Sequence, residues 1–279
     1  MSDQAIPHLI IRKKTGWQAL PFRELWEFRD LLNTLAVRDV KLRYRQTAIG
    51  VLWVILQPLI GAGLFSFIFG SVAKLSTGND KVPYFAFSFA GLMVWNVFAQ
   101  ILQKASDSMV GNAHLVSKIY FPRMILPLSA IYGVLLDFCV ASILMVALLL
   151  VFGIPIHAGL LFLPIALLMA VLMALGVGLW AAALNVTFRD VKYVIPVFIN
   201  FLMWATPVAY AVASLPPKAQ AIMSFNPMAG VVESFRWAVL GTPIENWASV
   251  GYSALASILL IFFGAMMFQR AERRFADVI

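Results

Sequence analysis

Asp137 is the only formally charged residue among the 65 that separate Arg123 from Arg189. A carboxylate in so apolar a stretch is costly unless it lines a polar path, bonds to neighbouring helices or couples an ion. Ion coupling would want a second mid-stretch acid or base, and the charge-free runs hold none. His8, His114 and His157 fall in three separate segments, and Cys139 is the single cysteine. No metal-ligand cluster and no nucleophile–base pair can be assembled from them. The patterns G-x-x-x-x-G-K-[ST], H-E-x-x-H and G-x-S-x-G do not occur, so neither a P-loop nor a hydrolase site is expected. With no catalytic residues and no metal or cofactor site expected, the chemistry left is that of passage, not of bond breaking.

Positioning so few polar groups is a task for long apolar elements. Of 279 residues, 62% are hydrophobic and 12% charged. Soluble domains run nearer 45–50% and about 25%. That excess cannot be hidden in one soluble core, which excludes a soluble enzyme, a disordered chain and a disulfide-stapled secreted protein. The expected fold class is an all-α integral membrane protein. Continuous apolar runs, not ten-residue alternating ones, argue against a β-barrel. A helical span needs about 20 apolar residues. The charge-free runs predict six spans, at 50–70, 84–102, 124–152, 160–184, 193–213 and 247–268. Gly153, Pro155, His157 and Gly159 supply the turn that divides the third from the fourth.

Six spans leave both ends on one side. Seventeen of the 21 Lys and Arg residues fall on that side. They lie in the N-terminal arm, at Lys104, Lys118 and Arg123, at Arg189 and Lys192, and in the tail. Lys74, Lys81, Lys218 and Arg236 fall on the other. The positive-inside rule then predicts cytoplasmic termini. The formal net charge of +8 is topology and leaflet electrostatics, so no nucleic-acid partner is expected. Residues 1–21, a cytoplasmic arm, show no apolar h-region with a small-residue cleavage site, so no signal peptide is expected. Residues 271–279 form a cytoplasmic tail.

The polar segments carry the remaining signals. Residues 22–46 read as an amphipathic helix on the membrane surface, with Leu25, Phe28, Leu32 and Leu35 on one face. Arg23/Glu27 and Asp39/Arg43 have ion-pair spacing. The segment Lys118 to Arg123, with Tyr120 and Phe121 before Pro122, is either an interfacial belt or a rigid knuckle for a partner to push on. Arg189 and Asp190 sit in a short turn. Residues 214–246 are long and half apolar, and predict two short helices that dip into the outer leaflet, either as a lid or as an outer-surface packing loop. Asn226-Pro227 marks a helix start, and Glu233 and Arg236 have the spacing to pair. The aromatic residues are mostly belt and core. Asp137, Tyr132, Trp95, Trp204 and Tyr210 are candidate pathway linings, since aromatic faces suit sugar rings as well as acyl chains.

Several stretches look familiar in order and spacing. They are Leu35 to Arg45, Thr47 to Pro58, Leu115 to Pro127, Leu184 to Val191, Thr206 to Val208 and Asn226 to Met228. Together they resemble the permease subunit of ABC-2-type exporters, in the branch that exports O-antigen, capsular polysaccharide or teichoic acid. The resemblance implies a six-span domain over 47–270 and a homodimer. Each subunit would bind a separate ATPase subunit, which holds ATP and Mg; this chain would carry no cofactor. It implies that 22–46 is the interface helix. It implies ATPase coupling through Lys118, Tyr120, Arg123, Arg189 and Asp190, and an outer gate at Asn226, Pro227, Glu233 and Arg236. The implied cargo is a lipid-linked glycan, and the location is the bacterial inner membrane, among its lipids. Three other readings stand beside it: an ABC-2 exporter of a small drug or lipid, a secondary transporter, and a non-transporting membrane scaffold.

Overall fold

The computed structural model describes residues 22–45 and 51–278. The expected N-terminal arm 1–21, residues 46–50 of the resembling stretch, and Ile279 lie outside the described residues. All regular structure among the described residues is helical. Five helices are long and apolar enough to cross a membrane: Leu52–Val72, Tyr84–Gly111, Ile125–Val151, Ala158–Thr187 and Trp247–Glu272.

The amphipathic segment is two helices, α1 (Phe22–Glu27) and α2 (Arg29–Arg45), joined at Phe28. Backbone bonds from Phe28 N to Glu24 O and from Leu32 N to Phe28 O carry the helical path across the joint. Leu35 and Ala36 are buried while Trp26 and Leu42 are exposed, so one face packs inward and the other looks out. The Arg23–Glu27 pair forms at 3.3 Å. Both partners are exposed, so its stabilisation is small. Asp39 is held by Arg38 at 2.8 Å.

Helix α3 (Val51–Phe65) continues as a π-helical stretch over Ser66–Val72. Helix α4 (Tyr84–Gly111) was expected to end near residue 102 and instead runs nine residues further. Its polar end stays helical because each polar group finds a bond within one turn. Ser106 donates to Gln103 O at 2.8 Å, Ser108 to Ala105 O at 2.7 Å, and Gln103 to Asp107 at 2.8 Å. A six-residue helix α5 (Ala113–Lys118) follows. Helix α6 (Ile125–Val151) leads to a turn with Gly153 at φ +64, as the glycine there predicts. A 3₁₀ turn at Ala158–Phe162 opens α7 (Leu163–Thr187).

The fifth apolar stretch, expected over 193–213, holds a helix of 14 residues, α8 (Val191–Trp204). That is about 21 Å of helix against a hydrocarbon core of about 30 Å. It ends before Thr206-Pro207 because a residue preceding proline is pushed out of α geometry. Two short helices occupy the expected lid, α9 (Pro217–Met223) and α10 (Pro227–Leu240). The last helix, α11 (Trp247–Val278), runs well past the expected end of its apolar stretch.

Helix α4 is the centre. Of its most apolar window 78% is buried, against 22–44% for the other four long helices. It packs on α3, α6, α7 and α10. A second apolar cluster lies at one end of the bundle. Leu35, Val116, Phe121, Met124, Val186 and Phe268 there join α2, α5, α6, α7 and α11. We call this the basic face. The other end carries α9 and α10. Ile143, Leu150, Val151 and Leu161 are largely exposed on the bundle's flank, as suits lipid and not water.

Candidate functional site

The site at the end opposite the basic face is built on broken backbone. After α8 the chain turns through Ala205–Ala211, leaving carbonyls with no helical donor. Side chains from α4 and α10 take them. Arg236 of α10 is 2% exposed. Its Nη1 donates to Pro207 O at 2.7 Å and to Tyr210 O at 3.3 Å, its Nη2 to Val208 O, and its Nε to Phe87 O at 3.2 Å. The guanidinium stands 3.6 Å over the Phe87 ring, a cation–π contact strengthened by burial. Tyr84 Oη donates to Ala209 O at 2.7 Å. Asn226 Nδ2 donates to Ala205 O at 2.8 Å and to Thr206 Oγ1 at 2.9 Å. Its Oδ1 accepts from Met228 N at 2.9 Å, so Asn226 caps α10 with Pro227 in the first turn.

Glu233 and Arg236 are three apart on α10, yet among the described residues no ion pair joins them. The fork of Arg236 is spent on carbonyls. Glu233 instead lines a cavity of about 280 Å³ with Glu245, Gln220 and Asn246. Burial pushes its carboxyl up to about 7; the Arg236 charge pulls it down and Glu245 pushes it up. The structure therefore separates the two charged gate candidates. One pins the turn and the other faces open space.

The basic face holds the expected coupling residues. Lys118 ends α5, and Ile119 and Tyr120 beyond it are exposed. Arg189 and Asp190 are exposed in the turn between α7 and α8. Arg123 is half-buried. Its Nη1 donates to Glu272 O at 3.0 Å, and its backbone N–H reaches Glu272 Oε1 at 3.4 Å. The start of α6 is thus clasped to the far end of α11.

Arg38 lies on α2, within the expected surface helix. It bridges Asp39 and, through Nη2, Asn112 Oδ1 at 2.9 Å. Asn112 Nδ2 caps the end of α4 on Ser108 O at 2.9 Å, and its carbonyl accepts the first bonds of α5 from Leu115 and Val116. One asparagine joins three elements. In a double-mutant cycle on thermal stability, Arg38→Ala and Asn112→Ala are expected to couple by about 0.5–1.5 kcal/mol. Additive losses would show that the contact does not set the joint.

The pathway candidates scatter. Trp95 is packed in the core against Phe98, ring centroids 5.4 Å apart. Trp204 is exposed beside Phe65 at 6.2 Å. Tyr210 donates to Trp204 O at 3.2 Å within the turn. Tyr132 is exposed on α6. Asp137 is buried and lines a small cavity of about 30 Å³ with Asn96 and Gln100 of α4. Those two amides went unremarked in the sequence, although Asn96, Gln100 and Lys104 repeat every four residues and share a helix face.

Comparison with known proteins extends this picture. The family model described as ABC-2 type transporter matches residues 30–240. An O-antigen export system permease protein of Klebsiella pneumoniae is 30% identical over 252 residues, covering 90% of this chain and 95% of the relative. One of Myxococcus xanthus is 27% identical over 260 residues, covering 92% and 98%. The capsule polysaccharide export inner-membrane protein of Neisseria meningitidis is 24% identical over 273 residues, covering 94% and 97%.

Proposed function

Because this chain belongs to the ABC-2 type transporter membrane family, we propose that it is a permease subunit of an ATP-driven polysaccharide exporter of the bacterial inner membrane. The observation that carries this reading is similarity along nearly the whole length to permeases named for O-antigen and capsule export. Five long apolar helices and a lipid-suited flank accord with a multi-pass membrane protein. The finer reading has α8 and the turn after it complete a sixth crossing, with α9 and α10 re-entering from the outer side. The excess of basic residues then puts both termini in the cytoplasm.

ATP and Mg bind a separate ATPase subunit, and this chain contributes no residue to hydrolysis. Two copies of the permease pair, each with its ATPase. ATP binding draws the ATPase subunits together against the segment Lys118 to Arg123 and the Arg189-Asp190 turn. The partner must bind one permease state better than the other to bias it. The Arg123–Glu272 clasp passes the displacement to α6 and α11 together. The gate at Asn226, Pro227, Glu233 and Arg236 then lets a lipid-linked glycan leave.

Purification from membranes tests the assembly, and deletion of the gene tests the cargo. A copurifying ATPase and accumulating lipid-linked glycan are the expected results. A preparation with no ATPase would favour a scaffold, and normal glycan traffic would favour a small-molecule exporter. Arg123→Ala and Arg189→Ala are each expected to lower export about tenfold, the equivalent of about 1.4 kcal/mol, with membrane insertion intact. Normal export from both would sink the coupling assignment.

A further inference from the structure

At the end opposite the basic face, two cavities adjoin. The smaller, of about 20 Å³, is lined by Thr77 of the loop before α4, Arg236 of α10 and Thr242 just beyond it, among others. The larger is the cavity of about 280 Å³ already described. Glu233 and Glu245 line both, so two carboxylates stand at the junction. Glu233 belongs to α10, and Glu245 to the segment that leads from α10 into α11. Among the described residues neither carboxylate has a hydrogen-bond donor or an ion-pair partner. They feel one another across the junction. Burial raises the Glu233 carboxyl, Arg236 lowers it, and Glu245 raises it again.

Thr242 adds a second sign. It is 4% exposed, yet among the described residues its hydroxyl makes no hydrogen bond. A buried hydroxyl left unpaired is costly. Thr77, the other threonine on the small cavity, differs: it donates to Asn79 O at 2.8 Å within its own loop. Gln220 of α9 lines the larger cavity. Its amide nitrogen is spent on Leu215 O at 2.8 Å, and among the described residues nothing donates to its oxygen. Two carboxylates, a hydroxyl and an amide oxygen thus come to one place from three segments. A water could meet the hydroxyl, but it would not answer two like charges at one junction. Arg236 borders the small cavity too. Its fork is spent on carbonyls, and two carboxylates outweigh one guanidinium. Thr242 also follows the C-terminal end of α10, where the helix dipole favours positive charge.

We propose that Glu233, Glu245 and Thr242, with Gln220 at the edge, hold a divalent cation of the calcium kind. Calcium takes about six to eight oxygens in flexible geometry. The carboxylates supply up to about four and the hydroxyl one more; Gln220 and water in the larger cavity complete the shell. Magnesium demands a near-ideal octahedron and sheds its water reluctantly, which suits donors from three segments less well. Once bound, the cation ties α10 to the segment that opens α11. The expected dissociation constant is about 0.1–1 mM, the range of calcium sites in extracellular modules. Such a tie would serve whatever the cargo is.

Equilibrium dialysis with radioactive calcium tests the site on the purified full-length chain in detergent, free of nucleotide and stripped with chelator. Wild type is expected to bind one calcium per chain. Glu233→Gln and Glu245→Gln are each expected to weaken binding at least about tenfold, and Thr242→Val about threefold. Asp80→Asn removes an exposed carboxylate that lines neither cavity, and it should bind as wild type. At about ten times the dissociation constant, calcium should raise the thermal midpoint of wild type and Asp80→Asn by about 2–4 °C. The two glutamine variants should show no such rise, and with chelator present they should melt with wild type. Should either melt early in chelator, Thr242→Val decides, since valine keeps the shape of the side chain; wild-type affinity in that variant would then overturn the site. No saturable binding by wild type would overturn the proposal, and the carboxylates would hold a proton instead. Equal affinity in wild type and both glutamine variants would overturn it as well, because the ion would then sit elsewhere.

Discussion

Arg236→Ala is expected to destabilise the protein by about 3–5 kcal/mol, because several buried carbonyls lose their donor at once. The alanine leaves the carbonyls of Pro207, Val208 and Tyr210 unpaired inside protein. Each such group costs about 1–3 kcal/mol, lessened where water can enter. It also removes the cation from the Phe87 ring. Arg236→Lys keeps the charge but loses the planar fork that reaches several carbonyls at once, so it should fall between wild type and alanine. Gly91→Ala should approach the alanine phenotype by another route, because an added Cβ there would fall on the Arg236 guanidinium and the Val208 carbonyl. Glu233→Gln is the contrasting case. Its carboxylate faces the cavity and not the turn, and a change within about 1 kcal/mol is expected. Thermal loss of the monodisperse species in detergent orders the four variants. Wild-type behaviour from Arg236→Ala would mean that the turn holds itself, and that the carbonyl contacts follow from the fold without maintaining it.

The same residue shows where sequence reading stops. Charge-free runs disclose three of the five long helices to within a few residues, and the starts of α4 and α11, because in a membrane length and apolarity nearly define the element. The end of α4 is missed because Gln103, Ser106 and Ser108 look like loop and are satisfied inside one helical turn. The short α8 is missed because apolarity does not distinguish a helix from a turn whose polar groups are met by side chains elsewhere. Arg236 reads as the i+3 mate of Glu233, while its partners lie 26 to 149 residues away in the chain. Only the folded bundle brings them together. Arg38 and Asn112 are hidden likewise, 74 residues apart. Asn96, Gln100 and Lys104 differ. Their four-residue spacing is plain in the sequence, and what it lacks without the fold is the facing helix that makes a row into a cavity wall.

Gly264→Val is expected to cost about 3 kcal/mol, the upper end for overpacking a close contact. At the crossing of α7 and α11 a Cβ on Gly264 would fall on the Gly176 carbonyl, and one on Gly176 would fall on the backbone of Leu260. These obstacles are main chain and cannot rotate away. Two helices that approach so closely rely on small residues, since lipid gives them no hydrophobic drive to associate. The valine must push α11 outward. Eight residues on, about 12 Å along the helix, Glu272 accepts from Arg123. A displaced α11 carries that carbonyl off the start of α6. Export should therefore fall even in the fraction of Gly264→Val that inserts and remains folded, as it is expected to fall in Arg123→Ala. Gly251→Val on the same helix is the control, because nothing lies within 4 Å of a Cβ there. Its thermal stability and export should match wild type. Equal behaviour of the two valine variants would mean that α7 and α11 can separate freely, and that the clasp at Arg123 does not depend on how they cross.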